Sequence, residues 1–390
     1  MDVNGSPGTT LGYPVVGEVV RSYLPRSETF TYTQIRSLRR FRPVVLTWMI
    51  ENDDEFDGVP VVRVTPDAPA PVRAARGVGA RLAGARNAFD YRLANSARQQ
   101  GCALLHAHFG WMGVASVYAQ RRLSVPLVTT FHAADIISDR DDLRAGYPAL
   151  FRQGTLFTAV GPRMAGLLAD RGCPPERIRL VKLGIDIDRI RCVPRRPRPP
   201  LVLLQVARLT PKKGVALTLR AFAAARDELG ASELWIVGDG PLRGELEQLA
   251  DELGVAGSVK FLGTRDHQST LELMTRAHVG LQPSLTAPSG DIEGTPTVLL
   301  EMQAAGLPIV ATAHADTPSI VATPEDLVPE NDVEALAGEI VRVAGLSGPV
   351  LESRIQRARR FVETEHALSR AREAIEQVYD EALRIGAPDG

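Results

Sequence analysis

Short apolar runs alternate with longer segments of helical periodicity from one end of the chain to the other. In the first half the runs are VVGEVV (15–20), PVVLTWM (43–49), VPVVRVT (59–65), ALLHAHF (103–109), PLVTTFH (126–132) and LFTAVG (156–161). In the second half they are LVLLQVAR (201–208), ELWIVGDG (233–240), VKFLG (259–263), VGLQPS (279–284) and PIVAT (308–312). Continuous rather than alternating apolar runs mark strands buried on both faces of a parallel sheet. Segments 214–229, 241–253 and 332–344 between them carry apolar residues at helical spacing. The pattern predicts an α/β protein with helices on both sides of its sheets. One stretch breaks it: VPRRPRPP (193–200) has prolines at 194, 197, 199 and 200, which neither continue a helix nor donate to a ladder. A first domain is therefore expected over 1–193, a semi-rigid, solvated Pro/Arg linker over 194–200 and a second domain over 201–365. A last helical segment, 366–390, would be free to pack back on the first domain.

Composition narrows the class. With 390 residues, 44% of them hydrophobic, the chain has enough apolar surface for two cores, which excludes disorder. Gly 34 and Pro 28 are too dilute for a fibrous protein. Three cysteines, Cys102, Cys173 and Cys192, form no paired spacing, so a reducing compartment is expected. The opening MDVNGSPGTTLGYP lacks the basic-then-apolar layout of a secretory signal. No apolar run approaches the roughly 20 residues of a membrane span. A cytoplasmic protein follows as the expectation. The net charge of -1 conceals an asymmetry: residues 1–200 hold 28 Lys and Arg against 18 Asp and Glu, and residues 201–390 hold 17 against 28. The halves are thus oppositely charged, at +10 and -11, which bears on partners rather than on fold.

Candidate chemistry concentrates in a few segments. In SGDIEGTPTVLLEMQAAGLPIVAT (289–312), Thr295 suits an N-cap and Pro296 the first helical position, with the helix running to about Ala305 and ending at Gly306. Glu301 is the only charge between Thr297 and Thr312, so it needs a hydrogen-bond partner or becomes neutral. Glu293 stands just before the helix start, where free N–H groups can receive an anion such as a diphosphate. The plainer alternative is a loop residue and a solvent-facing carboxylate. In VARLTPKKGVALTLRAF (206–222), Arg208 and Lys213 are cations at a strand's carboxyl end and suit a phosphate. In WIVGDGPLRGELEQL (235–249), Gly238 and Gly240 fit G-x-G, but position 243 is Arg, so the dinucleotide-binding spacing fails. The glycines read as a tight turn near a ligand or as purely structural.

In the first half, His106 and His108 form an H-x-H on a strand with no third ligand in view, which favours packed or hydrogen-bonded histidines over a metal site. His132 ends a strand of the expected cleft, with Asp135 three residues on. Asp139/Asp141 and Asp186/Asp188 match D-x-D, a pattern of low specificity for a nucleotide-bound cation.

Together these segments resemble glycosyltransferase family 4, retaining nucleotide-sugar enzymes of the GT-B fold, in which two Rossmann-like doubly wound domains face a central cleft. VARLTPKKG, IVGDGP, FLG (261–263), QPS (282–284) and EGTPTVLLEMQAAGLPIVAT come in the family's order, and the last, with Glu293 and Glu301 as an E-x₇-E pair, is the most specific. YLPRSETF (23–30), HAHFG and TFHAAD are similar to the subgroup that builds exopolysaccharides of the colanic-acid type.

The resemblance implies that Arg208 and Lys213 neutralise a diphosphate leaving group and that Glu301 accepts hydrogen bonds from the ribose. It implies that Glu293 and His132 contact the donor sugar. Gly294, Thr295, Thr297 and Val298 would complete the phosphate cradle, while Gly238, Gly240, Phe261 and Leu262 would make room for the nucleotide. The first domain would hold the acceptor, with Ser27, Glu28, Thr29 and Asp135 as acceptor-side candidates. The implied activity is metal-independent, retaining transfer from a nucleotide sugar, UDP-linked on family frequency, to a saccharide or natural-product hydroxyl. No cofactor and no nucleic acid are expected. The chain departs from the subgroup at HADTPSIV (314–321), where Ala315 and Asp316 replace a glycine pair and Ser319 a glutamate.

The basic half contains QIRSLRRFR (34–42) and residues 72–98, where six arginines face Asp90 alone and Val78, Leu82, Ala85, Phe89 and Leu93 recur at helical spacing. Such a helix either lies on an anionic membrane beside a lipid-linked acceptor or faces the core with a solvated basic flank. The competing activities are a sugar-nucleotide epimerase or phosphorylase-like enzyme on the same fold, a nicotinamide dehydrogenase and a periplasmic sugar-binding protein. The failed glycine spacing opposes the third, and the expected phosphate cradle opposes the last.

Overall fold

The computed structural model describes residues 12–23, 29–51, 58–64, 88–132, 134–137 and 145–386. The chain divides into two compact units, Met1–Thr130 with Ala149–Phe157 and Ile375–Gly390, and Phe131–Pro148 with Thr158–Ala374. Seven strands form the first sheet: β1 (Val15–Tyr23), β2 (Arg42–Ile50), β3 (Val61–Arg63), β4 (Cys102–His108), β5 (Leu127–Phe131), β6 (Leu156–Ala159) and β7 (Ile178–Leu180). Their order is β3-β2-β1-β4-β5-β6-β7, and the pairs β1·β2, β1·β4, β2·β3 and β4·β5 are parallel. The second sheet holds β8 (Leu201–Val206), β9 (Ser232–Val237), β10 (Val259–Gly263), β11 (Val279–Gln282) and β12 (Ile309–Ala311). Its order is β10-β9-β8-β11-β12, parallel throughout. Each of the eleven apolar runs is a strand. Ile178–Leu180, partly exposed, is a strand that the runs do not mark.

The second sheet shows why its strands read as unbroken apolar runs. Leu203 and Leu204 are neighbours in sequence, yet they enter different cores because successive strand residues point to opposite faces. Leu203, Leu234 and Ile236 pack with Phe222 and Leu219 of the helix Val215–Leu229 and Ile340 of the helix Val333–Ala344. Leu204, Trp235 and Val237 pack with Met274, Leu299, Leu300 and Met302 on the other face. Both faces are therefore covered, and each fully buried leucine contributes about 1.5–3 kcal/mol. Because every strand runs the same way, the loops that follow β8, β9, β10 and β11 gather at one edge, where α/β sheets bind ligands.

One local feature differs from expectation. The Pro/Arg tract is not wholly solvated: Arg195 is buried and its guanidinium donates to the carbonyls of Gly306, Met274, Thr275, Ala277 and Ala305. One planar fork thus satisfies five carbonyls, two just after the helix Thr297–Ala304 and three at the C-terminal end of the helix His267–Arg276. Burial lowers the Arg195 guanidinium to about 10, with Cys192 opposing. The three cysteines are free, Cys102 and Cys173 buried and Cys192 exposed.

Candidate functional site

Strand β8 ends at Val206, and the chain turns through Arg208 to a short 3₁₀ segment, Pro211–Lys213, before the next helix begins. Gly214 makes that turn in the left-handed region at φ 64, and a Cβ there would run into the Pro283 carbonyl oxygen. The close approach ties the loop after β8 to the loop after β11, reinforced by the Leu285 N–H donating to Lys212 O at 3.0 Å. The contact sets Lys213 against Glu293, whose carboxylate it pairs directly. Both side chains are largely buried. Burial alone would raise the Glu293 carboxyl, but Lys213, with Lys212 and Arg208 behind it, holds it below the usual carboxylate range. Lys212 meets Asp291 Oδ1 at 3.1 Å and Ile292 O at 3.2 Å. Arg208 is exposed and acts on Glu293 through its field.

The helix after Glu293 starts one residue later than expected. It spans Thr297–Ala304, with Pro296 as the capping residue, and Thr295 makes no side-chain cap. Pro296 sits at φ -72 and ψ 95, which is extended rather than helical, so it precedes the first turn instead of forming it. Thr295 Oγ1 is buried with no hydrogen-bond partner among the described residues. The N–H groups of Thr297 and Val298 open the helix without intrahelical acceptors. Gly294 and Thr295 lead into it as an irregular segment. The arrangement is two lysines, an exposed arginine and a helix N-terminus around one buried carboxylate, and it suits a polyanion bearing a polar group.

Glu301 lies about one turn along that helix and meets His267 Nε2 at 2.9 Å. This hydrogen bond, the largest influence on the ring, raises His267 above the ordinary histidine value against burial. The lone carboxylate thus has its partner on the helix His267–Arg276, which no local pattern revealed. Gly238, at φ 127, donates its N–H to Gly263 O at 2.9 Å, and a Cβ there would strike the Ala207 carbonyl. A Cβ at Gly240 would crowd the Leu209 backbone. Chain packing alone therefore demands both glycines. Phe261 lies on β10 under the Arg243 guanidinium, 5.1 Å from its ring centre, and Leu262 packs against the second face of the sheet.

His132 follows β5. Its backbone N–H donates to Asp135 Oδ1 at 3.0 Å, and Tyr147 Oη donates to Asp135 O at 2.7 Å. Asp135 is buried, and its carboxylate braces His132. Ser27 and Glu28 lie outside the described residues, as do Asp139, Asp141 and the stretch 72–87. Thr29 opens the helix Thr29–Ser37. Of the basic segment, the helix Ala88–Gln99 is described, with Phe89, Leu93 and Ala97 buried.

In the atypical segment 314–321 one of the two residues standing where glycines are expected has a backbone that glycine would adopt freely, while Asp316 sits at an ordinary φ of -88. Ala315 is left-handed at φ 47, a strained conformation for alanine that costs about 1–2 kcal/mol. Asp316 accepts from the N–H groups of Arg163 and Met164 at 2.9 and 3.3 Å, satisfying the start of the helix Pro162–Asp170. Ser319 Oγ donates to Asp316 O at 2.7 Å.

A separate polar cluster lies within the first unit. His106 Nδ1 and His108 Nε2 both sit 3.0 Å from Glu18 Oε2, and the Tyr379 hydroxyl donates to Glu18 Oε1 at 3.0 Å. His106 Nε2 is 2.7 Å from Thr130 Oγ1. The third group absent from the H-x-H is thus Glu18, and a charged residue inside VVGEVV was the signal for it. The potential ligand atoms lie within 4.8 Å of one another, a metal-compatible spacing, and hydrogen bonds already engage them. Burial would raise Glu18, but His106 and His108 bring it down to about 2. Burial, then His106, lowers His108 to about 4 against Glu18. Both shifts oppose acid. The unfolded chain protonates His108 first, so stability falls as pH drops from the ordinary histidine value toward 4, and Glu18 adds a loss continuing toward 2. Urea midpoints should therefore decline from pH 7 to pH 4, and less steeply in His108→Gln. A flat wild-type profile over that range would contradict the assignment.

Comparison with known proteins gives a consistent picture. Residues 186–361 match the family described as glycosyl transferases group 1, and residues 27–189 match Glycosyltransferase Family 4. The chain is 36% identical over 266 residues to WcaL of Salmonella typhimurium, a candidate colanic acid biosynthesis glycosyltransferase, covering 66% of this chain and 65% of that one. It is 33% identical to the amylovoran biosynthesis glycosyltransferase AmsK of Erwinia amylovora, with the same coverage. The match therefore spans just under two thirds of these relatives' length. Anabaena Alr3699/HepE, solved with UDP and glucose, superposes with a TM-score of 0.77 at 19% identity over 94% of this chain and 100% of that one. The fold is that of the GT-B glycosyltransferases.

Proposed function

Because this chain belongs to glycosyltransferase family 4, we propose that it transfers a sugar from a nucleotide-sugar donor to a hydroxyl of a saccharide acceptor in exopolysaccharide assembly, with retention at the anomeric carbon. The observation that carries the proposal is the Lys213–Glu293 pair at the head of the helix Thr297–Ala304, flanked by Lys212 and Arg208. In this reading Lys213 and Arg208 face the donor diphosphate, and the N–H groups of Gly294, Thr295, Thr297 and Val298 cradle it. Glu301 receives the ribose hydroxyls, Gly238, Gly240, Phe261 and Leu262 border the nucleotide, and Glu293 and His132 hold the sugar. UDP is the first nucleotide to test, since the Anabaena protein holds it.

The proposed chemistry stays on one face of the sugar. The bond from the anomeric carbon to the diphosphate oxygen breaks, the acceptor oxygen bonds to that carbon, and the acceptor proton passes to the departing phosphate. Negative charge grows on the diphosphate as the bond breaks, and cations already aimed there stabilise it without reorganisation. The chain's own cations thus supply the charge that makes this a metal-independent reading.

An anionic or lipid-linked acceptor fits the +10 charge of residues 1–200. Peripheral contact with the inner face of the membrane through residues 72–98 belongs to the same proposal. Among the described residues no helix is long and apolar enough to cross a membrane.

The test is a panel of UDP-, GDP- and ADP-sugars with an oligosaccharide acceptor, read by nucleotide release and by NMR of the product's anomeric configuration. Acceptor-dependent release with retained configuration is the expected result. An inverted product would remove the mechanism. Phosphate-dependent or acceptor-independent turnover would favour a phosphorylase-like enzyme or an epimerase instead.

A further inference from the structure

His314 stands at the head of the segment where the usual glycine pair is missing, and it is almost wholly buried. Its Nε2 lies 3.0 Å from the backbone nitrogen of Glu293. A backbone amide can only donate, so Nε2 carries the lone pair and the ring proton resides on Nδ1. Nδ1 lies 2.6 Å from Glu330 Oε1, so it donates to that carboxylate. The other carboxylate oxygen of Glu330 accepts the Thr286 N–H at 2.7 Å.

The segment from Thr286 to Glu293 is therefore fastened at both ends by one imidazole and one carboxylate. Between the fastenings it folds on itself, the Ala287 N–H donating to Asp291 O at 2.9 Å and the Gly290 N–H to Ala287 O at 2.8 Å. Lys212 holds its outer side at Asp291 and Ile292. Glu293 is thus gripped twice, by Lys213 at its carboxylate and by His314 at its backbone.

We propose that His314 is a positioning residue for sugar transfer: its Nε2 fixes the Glu293 backbone, Glu330 fixes the ring, and the pair thereby aims the Glu293 carboxylate at the donor sugar. The proposal rests on the reading of Glu293 as a donor-sugar contact. It assigns to His314 and Glu330, neither of which touches the donor, control over the step in which the sugar moves. Nucleotide affinity, which that reading gives to Lys213, Arg208, the N-terminus of the helix Thr297–Ala304, Glu301 and the strand-end glycines, stays outside their reach.

Two substitutions separate positioning from mere structure. His314→Gln places an amide oxygen near the former Nε2 and can still accept the Glu293 N–H. His314→Asn reaches only the Nδ1 position and leaves that N–H without an acceptor. The expected result is a fall in kcat on the order of 10–100-fold in His314→Asn, with UDP affinity within about twofold of wild type, and recovery of most of kcat in His314→Gln.

Hydrogen exchange at the Glu293 amide reads the same claim without activity. It should be slow in wild type and His314→Gln and at least tenfold faster in His314→Asn. If wild type turns over no donor, the proposed function fails while exchange still tests the positioning. Should His314→Asn not fold, Glu330→Ala frees the ring and is expected to give the same faster exchange and lower kcat. Unchanged Glu293 protection in the folded variant, or equal kcat losses in the Asn and Gln variants, would overturn the proposal.

Discussion

Replacing Lys213 with alanine is expected to slow nucleotide release from the preferred donor by a factor on the order of 100 to 1,000 and to destabilise the second unit at the same time. The two effects have different origins. In the proposed mechanism the rate falls because a cation facing the leaving diphosphate is gone. The fold weakens because Glu293, largely buried, keeps its charge and loses its direct partner. Breaking a buried pair from one side costs about 3–5 kcal/mol, and the slight exposure of both groups puts the expected loss near the lower end. Glu293 would also rise toward or above the usual carboxylate range, since Lys213 is the main influence now opposing burial. The double variant Lys213→Ala/Glu293→Gln removes the stranded charge. It should regain most of the stability and none of the rate. A double variant as unstable as the single one would show that the pair is not the source of the loss.

The second large effect concerns Gly214. Gly214→Ala introduces a Cβ into the Pro283 carbonyl at a residue whose φ is 64. Left-handed strain costs about 1–2 kcal/mol and forced overpacking about 1–3, so a loss of about 2–5 kcal/mol is expected. The loop after β8 must part from the loop after β11, carrying Lys213 away from Glu293, and donor turnover should fall with it. Gly254→Ala is the comparison. Gly254 also has a positive φ, 68, but nothing lies within 4 Å of its Cβ position. Its loss should stay near the strain value alone. Equal unfolding midpoints in urea for the two variants would mean that the Gly214–Pro283 approach does not constrain the loop.

Much of the fold was legible because buried parallel strands leave a simple trace. LVLLQV shows no alternation since Leu203 and Leu204 face two different cores. Ile178–Leu180 left no such trace, being three residues long with its arginine in the middle. The helix start was misplaced by one residue because proline suits both the position before a helix and its first turn, and only ψ decides between them.

In the site, the residues that carry charge within short loops were legible. Arg208, Lys213, Glu293 and Glu301 each stand out against their local surroundings. Their supports were not. His267 pairs with Glu301 across 34 residues, His314 holds Glu293 across 21, and Tyr379 reaches Glu18 across 361. Such partners are fixed by topology, which local patterns do not encode. Glu18 was the exception, since a carboxylate set within an apolar strand demands a partner wherever the chain then folds.

The central claim is that a nucleotide diphosphate binds at the end of β8, against Lys213 and the N-terminus of the helix Thr297–Ala304. Titration calorimetry of UDP against wild type and the folded Lys213→Ala/Glu293→Gln variant tests it most directly. The account predicts one UDP per wild-type chain and at least a tenfold weaker dissociation constant in the variant, as the loss of a charge-assisted contact worth roughly 1.5–3 kcal/mol requires. Equal affinities for the two proteins would contradict it.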